Sequence, residues 1–119
     1  GRPRTLEDLS RHPFLRYPNW TGDALTLSSA LGSMKLPVLT RYSINHAVAL
    51  LDAVREGAGI AFQPCWMVNE LLKRKELVRL LPQWSGPTQT VYLLSPSHRR
   101  QAMRVQVMKD LLIREIQAL

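Results

Sequence analysis

Cysteine is nearly missing from this 119-residue chain, and a single copy, Cys65, excludes an internal disulfide. It has neither Cys nor His at metal-ligand spacing and no cationic neighbour to activate it, so it reads as an inert, partly buried side chain. Long apolar runs are absent as well. Nothing approaches the roughly 18 residues of a membrane span, and no charged-then-apolar leader resembles a signal peptide, which makes a cytoplasmic protein without membrane contact the expectation. Catalytic groupings are missing too: Asp and Glu show no pairing, His12, His46 and His98 stand far apart, and no serine sits in a nucleophile elbow. No enzyme activity, metal or cofactor is expected, and no Gly-rich loop holds a nucleotide.

Aromatics make up only 7% of the chain, and Trp20, Trp66 and Trp84 read as core or loop-anchoring residues. That scarcity bears on the net charge of +7. Residues 1 to 66 carry seven Lys or Arg against five acids, and 67 to 119 carry nine against four. The densest clusters, Lys73 to Lys75 and His98 to Arg100, lack the interleaved aromatics of a stacking surface or the pattern of a DNA-reading motif. Lys73 to Lys75 read as the end of a helix, where cations offset the negative end of the macrodipole.

What is present is the composition of one compact domain, 45% apolar and 21% charged, burying roughly 65% of its unfolded surface. Its elements alternate. Phe14 to Tyr17 and Ala24 to Ser28 predict short strands around the turn Pro18 to Gly22, and Leu36 to Arg41 another, with Pro37 suiting its start or an edge. Helices are predicted over His46 to Glu56, Cys65 to Arg74 and Gln101 to Ala118. Further strands are predicted over Gly59 to Gln63, Leu77 to Leu81 and Thr90 to Leu94. In the last helix Val105, Met108, Leu112, Ile116 and Leu119 keep one face, widened by Val107, Leu111 and Ile113. That breadth fits either an ordinary core helix or a contact with another lobe or a second copy of the chain.

The run Asn45 to Pro64 is the most informative. Asn45 reads as an N-cap, Ala47, Leu50, Leu51 and Val54 share a helical face, Gly57 supplies the left-handed stop, and Ile60-Ala61-Phe62 is a buried strand ended by Pro64. With an upstream strand over Pro37 to Tyr42 this makes a βαβ unit, and the junction Arg41 to Asn45 lies where ligands bind in open α/β sheets. The following helix N-terminus brings unpaired N–H groups and partial positive charge, able to hold a carboxylate or phosphate.

The same run, centred on Gly57-Ala58-Gly59-Ile60-Ala61, resembles the effector-binding domain of LysR-type transcriptional regulators. Leu6 to Leu15, Leu77 to Trp84 and Val91 to Ser97 are similar, in order, to that domain's start of its second lobe, its strand after the second helix and its return crossover. The resemblance implies an α/β fold: one lobe of a type II periplasmic-binding-protein-like fold, with a mixed sheet flanked by helices and a C-terminal helix. Residues 1–97 would be the second lobe including the return crossover strand, and 98–119 the helix that packs on a first lobe not in this chain. The chain, which opens Gly1-Arg2-Pro3 without an initiator Met, is read as a fragment.

By the same resemblance Ser43, Ile44 and Asn45 line an effector cleft, with Gln63 and Pro64 as the second contributor. Ile44 stands where the family often has a small or polar residue, which favours a partly apolar effector. The function implied is sensing: a small molecule closes the cleft of a homo-oligomer and alters its hold on DNA, through an N-terminal winged helix-turn-helix absent here. The alternative is a lobe of a solute-binding protein for transport.

Overall fold

In the computed structural model of the chain, residues 1–18, 24–88, 90–96 and 102–119 are described. The element order is α1 (Leu6–Ser10), β1 (Pro13–Arg16), β2 (Ala24–Ser29), β3 (Gly32–Pro37), β4 (Leu39–Ser43), α2 (Ala47–Arg55), β5 (Ile60–Ala61), α3 (Cys65–Lys73) and α4 (Met103–Gln117). Two compact units divide the chain, Gly1–Pro87 and Thr88–Leu119.

The first unit is built on a parallel sheet of order β4-β1-β5 and an antiparallel hairpin of β2 and β3. The expected α/β fold with parallel and antiparallel pairing is therefore present, divided between two sheets. β1 is central, and its alternation explains the layers. Phe14 faces one side and, with Leu9, Leu25, Leu27, Leu36 and Leu81, forms a buried core beneath the hairpin. Leu15 is fully buried, as is Leu50 on α2, which packs on β1 and β5.

α2 starts and stops as its residues dictate, with one change at the start. Asn45 is not the cap; His46 is, its Nδ1 accepting from the Ala49 N–H at 3.3 Å. The reason lies in the sheet: Ile44 N–H still donates to the Arg16 carbonyl at 2.8 Å, so the chain leaves β4 one residue later than the sequence suggests. At the other end Gly57, at φ +79°, lets Ala58 N–H reach the Ala53 carbonyl and Gly57 N–H the Val54 carbonyl, both at 3.0 Å. α3 ends in the same pattern with Lys75 at φ +59°, and Lys73 and Arg74 close its last turn.

Several sequence expectations change because strands need partners. The strand foreseen over Leu36 to Arg41 is two: β3 ends at Pro37 in the hairpin, and β4 begins at Leu39 in the other sheet. Leu77 to Leu81 and Thr90 to Leu94 form no strand; among the described residues neither has a ladder partner. Leu80 and Leu81 still pack on the core, and the loop that follows is tied to the hairpin by paired hydrogen bonds between Ser28 and Ser85, both 2.8 Å. Cys65 is exposed, not partly buried, and Trp66 is 61% exposed, whereas Trp84 packs against the core as foreseen. Most of the turn Pro18 to Gly22, with Trp20, lies outside the described residues, as do Ser97, the cluster His98 to Arg100 and Gln101.

α1 is an element beyond those the sequence predicts, and its capping residues are plain in the sequence. Thr5 Oγ1 accepts from the Asp8 N–H (3.1 Å), and Asp8 Oδ2 accepts from the N–H groups of Thr5 (3.2 Å) and Arg4 (3.1 Å), a reciprocal capping box. The Arg4 N–H, and then the Thr5 hydroxyl, hold the Asp8 carboxyl below its usual value. A depressed folded-state pKa gives stability that is present above the unfolded value and is lost as pH falls through the folded one. Melting curves from neutral pH down through the aspartate range are thus expected to fall less steeply for Asp8→Asn than for the parent. Parallel slopes would show that the box adds nothing pH-dependent.

In the second unit, α4 buries none of its side chains. Met108, Leu112 and Ile116, from the predicted stripe, are 54%, 39% and 45% exposed. Leu93 and Leu94 meet Val105, Met108 and Leu112 around a shallow apolar groove. An ordinary core helix is therefore not what the described residues contain.

Candidate functional site

Three parallel strands end together at one edge of the β4-β1-β5 sheet, and the register fixes which residues stand there. Leu15 pairs with Tyr42 on one side and Ala61 on the other, and Arg16 pairs with Ser43. The edge is thus formed by Ser43 and Ile44 after β4, Arg16 and Tyr17 at the end of β1, and Phe62 and Gln63 after β5. Both following helices begin here. Backbone N–H groups at helix starts carry partial positive charge, so the edge favours an anionic or hydrogen-bond-accepting ligand.

Each predicted residue can be located against this frame. Ser43 is exposed and Ile44 half-buried, at the strand end as foreseen. Asn45, freed of capping, is an exposed residue of the turn into α2, so its amide is not committed to the helix. Pro64 is itself the residue preceding α3, and no side chain caps that helix. Gln63 is half-buried, and its Nε2 is shielded from solvent without a hydrogen-bond partner among the described residues. A shielded donor left unpaired costs about 1–3 kcal/mol.

β1 separates the β4 and β5 ends, so the sequence grouping of Ser43 to Asn45 with Gln63 and Pro64 omits what lies between them. Arg16 is half-buried at the end of the central strand and is the cation nearest in register to Ser43. The sequence contained one hint: the strand reading Phe14-Leu15-Arg16-Tyr17 carries a cation, Arg16, two residues before Pro18. Nothing local said that this strand was central. Nearby, Arg41 stacks over the Tyr42 ring at 5.4 Å, on the exposed outer strand. Among the described residues no three of His, Cys, Asp or Glu are grouped to hold a metal ion, and no helix is long and apolar enough to cross a membrane.

The family model of the LysR substrate binding domain matches residues 1–117. The chain belongs to that family. Relatives agree with the assignment made on Asn45 to Pro64. The chain is 33% identical to the HTH-type transcriptional activator AaeR of Escherichia coli K12 over 109 residues, covering 90% of this chain and 35% of that protein. It is 29% identical to the probable HTH-type transcriptional regulator LtrA of Klebsiella pneumoniae, over 100% of this chain and 40% of that one. Among solved structures, the regulatory domain of AphB in Vibrio vulnificus is 30% identical with a TM-score of 0.63, covering 72% of this chain and 43% of that one. This LysR-family chain thus spans about two fifths, or less, of the length of the curated relatives named here. Those relatives are named as transcriptional regulators, not as enzymes or transport proteins, so the solute-transport alternative is not favoured.

Proposed function

We propose that the edge formed by Arg16, Ser43, Ile44, Asn45, Gln63 and Pro64 is one wall of a cleft that binds a small effector, and that the chain is the sensing part of a LysR-type regulator. The observation that carries this reading is the Gln63 amide, a shielded and unpaired donor in the segment after β5, at the sheet edge where two helices start and Arg16 ends the central strand. A molecule with a carboxylate or similar acceptor and an apolar portion fits it, the acceptor toward Arg16 and Gln63 and the apolar portion toward Ile44. Residues 1–97 are the second lobe and 98–119 the helix that packs on a first lobe; the grouping of residues 88–96 with α4 in one unit, both exposing apolar side chains, supports a common partner for the two. The longer protein binds DNA through a separate domain, works as a homo-oligomer in the cytoplasm, and catalyses nothing at this edge. Effector binding shifts the population between lobe arrangements, which is how a site without catalytic groups alters DNA binding.

The test uses the longer protein with its effector, read by calorimetry beside a melting curve. Ser43→Ala and Asn45→Ala are expected to weaken binding by about 1–3 kcal/mol each where they meet a charged group, with the melting temperature unchanged. Asn45→Ala is a clean variant because His46 holds the cap. Unchanged affinity in both, with Gln63→Leu also silent, would show that this edge is scaffold.

A further inference from the structure

A basic groove lies near the start of β1, away from the edge where β4, β1 and β5 end. Gly1 to Arg4 runs past the start of β1, where the Gly1 carbonyl faces His12 Nε2 at 2.9 Å, just before Pro13. There the segment meets Val78 to Gln83 along an open, shallow groove of about 410 Å³. Three guanidinium-bearing residues line it, Arg2, Arg4 and Arg79, against an apolar floor that includes Val78, Leu80 and Pro82.

Among the described residues no carboxylate lines this groove, and none of the three arginines has a carboxylate partner. Acids in the surroundings are already engaged: Glu7 pairs with Arg11, Asp8 is held by the N–H groups of Arg4 and Thr5, and Glu76 pairs with Arg55 at 3.0 Å. The cations are therefore not neutralised from within. Arg79 is also oriented, its Nη2 donating to the Pro82 carbonyl at 3.2 Å. The turn that supplies this carbonyl is fixed by Leu81, which adopts φ +46° and is buried in the core, so packing holds a backbone that a leucine rarely takes. An exposed arginine cluster with no partner is repelled by itself, and a bound anion removes that repulsion.

We infer that Arg2, Arg4 and Arg79 form a binding site for a small organic anion, a carboxylate or phosphate headgroup carried on an apolar body, distinct from the effector edge. The headgroup sits among the guanidinium groups, which match planar carboxylate and phosphate oxygens through paired N–H donors. Its apolar body lies over Val78, Leu80 and Pro82. This site stands whether or not the cleft reading holds, because it shares no residue with it.

The experiment is a titration of the whole 119-residue chain, followed by backbone amide shifts, with phenyl phosphate, benzoate, inorganic phosphate and sodium chloride as separate probes. Phenyl phosphate or benzoate is expected to move the amides of Leu80, Leu81 and Gln83 and to saturate at about millimolar concentration, ahead of inorganic phosphate. Which of the two binds more tightly identifies the headgroup. Arg4→Gln with Arg79→Gln is expected to weaken it about tenfold, while Lys35→Gln, outside the groove, leaves it unchanged. The double variant should keep the parent melting curve, since the capping box uses only the Arg4 backbone. Shifts spread evenly over all cationic residues, equal potency of sodium chloride, or an equal loss in Lys35→Gln would overturn the site as unspecific charge. Saturation of the same amides by short duplex DNA at lower concentration than either organic probe would overturn it in favour of a nucleic-acid contact.

Discussion

Phe14→Ala is expected to destabilise the first unit by about 3–5 kcal/mol, which is most of a total stability at the low end of the usual range of about 5–15 kcal/mol. Phe14 is 2% exposed on the central strand and joins α1, the hairpin and the Leu80–Leu81 segment into one core. No other side chain on β1 could fill its place, since Leu15 points to the α2 side. Leu39→Ala is the comparison. Leu39 is 61% exposed on the outer strand of the same sheet, where truncation is expected to change stability by only about 0.5 kcal/mol. Urea denaturation of the two variants decides it: equal costs would mean that the hairpin does not pack on the Phe14 face.

Gly59→Val is expected to be comparably severe, for a reason of backbone geometry. A Cβ at residue 59 would lie 2.6 Å from the Pro13 carbonyl oxygen, and Leu15 Cγ is already 3.4 Å away. A side-chain tip could move aside. A main-chain oxygen at the start of β1 cannot do so without disturbing the pairing of β1 with β4 and β5. Overpacking of this kind costs about 1–3 kcal/mol and more when backbone is involved. At Gly57 the demand is only conformational: φ is +79° but nothing lies within 4 Å of an added Cβ, so Gly57→Ala should cost about 1 kcal/mol. If Gly57→Ala proved the costlier of the two, the close approach at Gly59 would not be the constraint.

These two glycines show how far local reading reaches. Gly57 announced its role in the sequence, because a helix face of Leu50, Leu51 and Val54 must end and a glycine follows it. Gly59 announced only that something comes close. What comes close is the main chain of β1, some 46 residues earlier, which nothing local to Gly59 could name. In the same way Thr5 and Asp8 carried a readable cap for α1, whereas the absence of strands at Leu77 to Leu81 and Thr90 to Leu94 was beyond reach. Their apolar pattern is that of strands, but a ladder exists only where another segment supplies donors and acceptors.

The sequence alone determined the helices, whose hydrogen bonds and faces are set within a few residues, and through Asn45 to Pro64 it determined the family. It also placed Ser43, Ile44, Gln63 and Pro64 at element ends, since strand and helix boundaries leave local marks in cap, glycine and proline. Tertiary structure decided what lies between them. Only the order β4-β1-β5 puts Arg16 beside Ser43, moves the cap of α2 from Asn45 to His46, and shields the Gln63 amide. Parallel pairing joins strands far apart in the chain, so the side chains that share one edge of the sheet leave no common signal in the sequence.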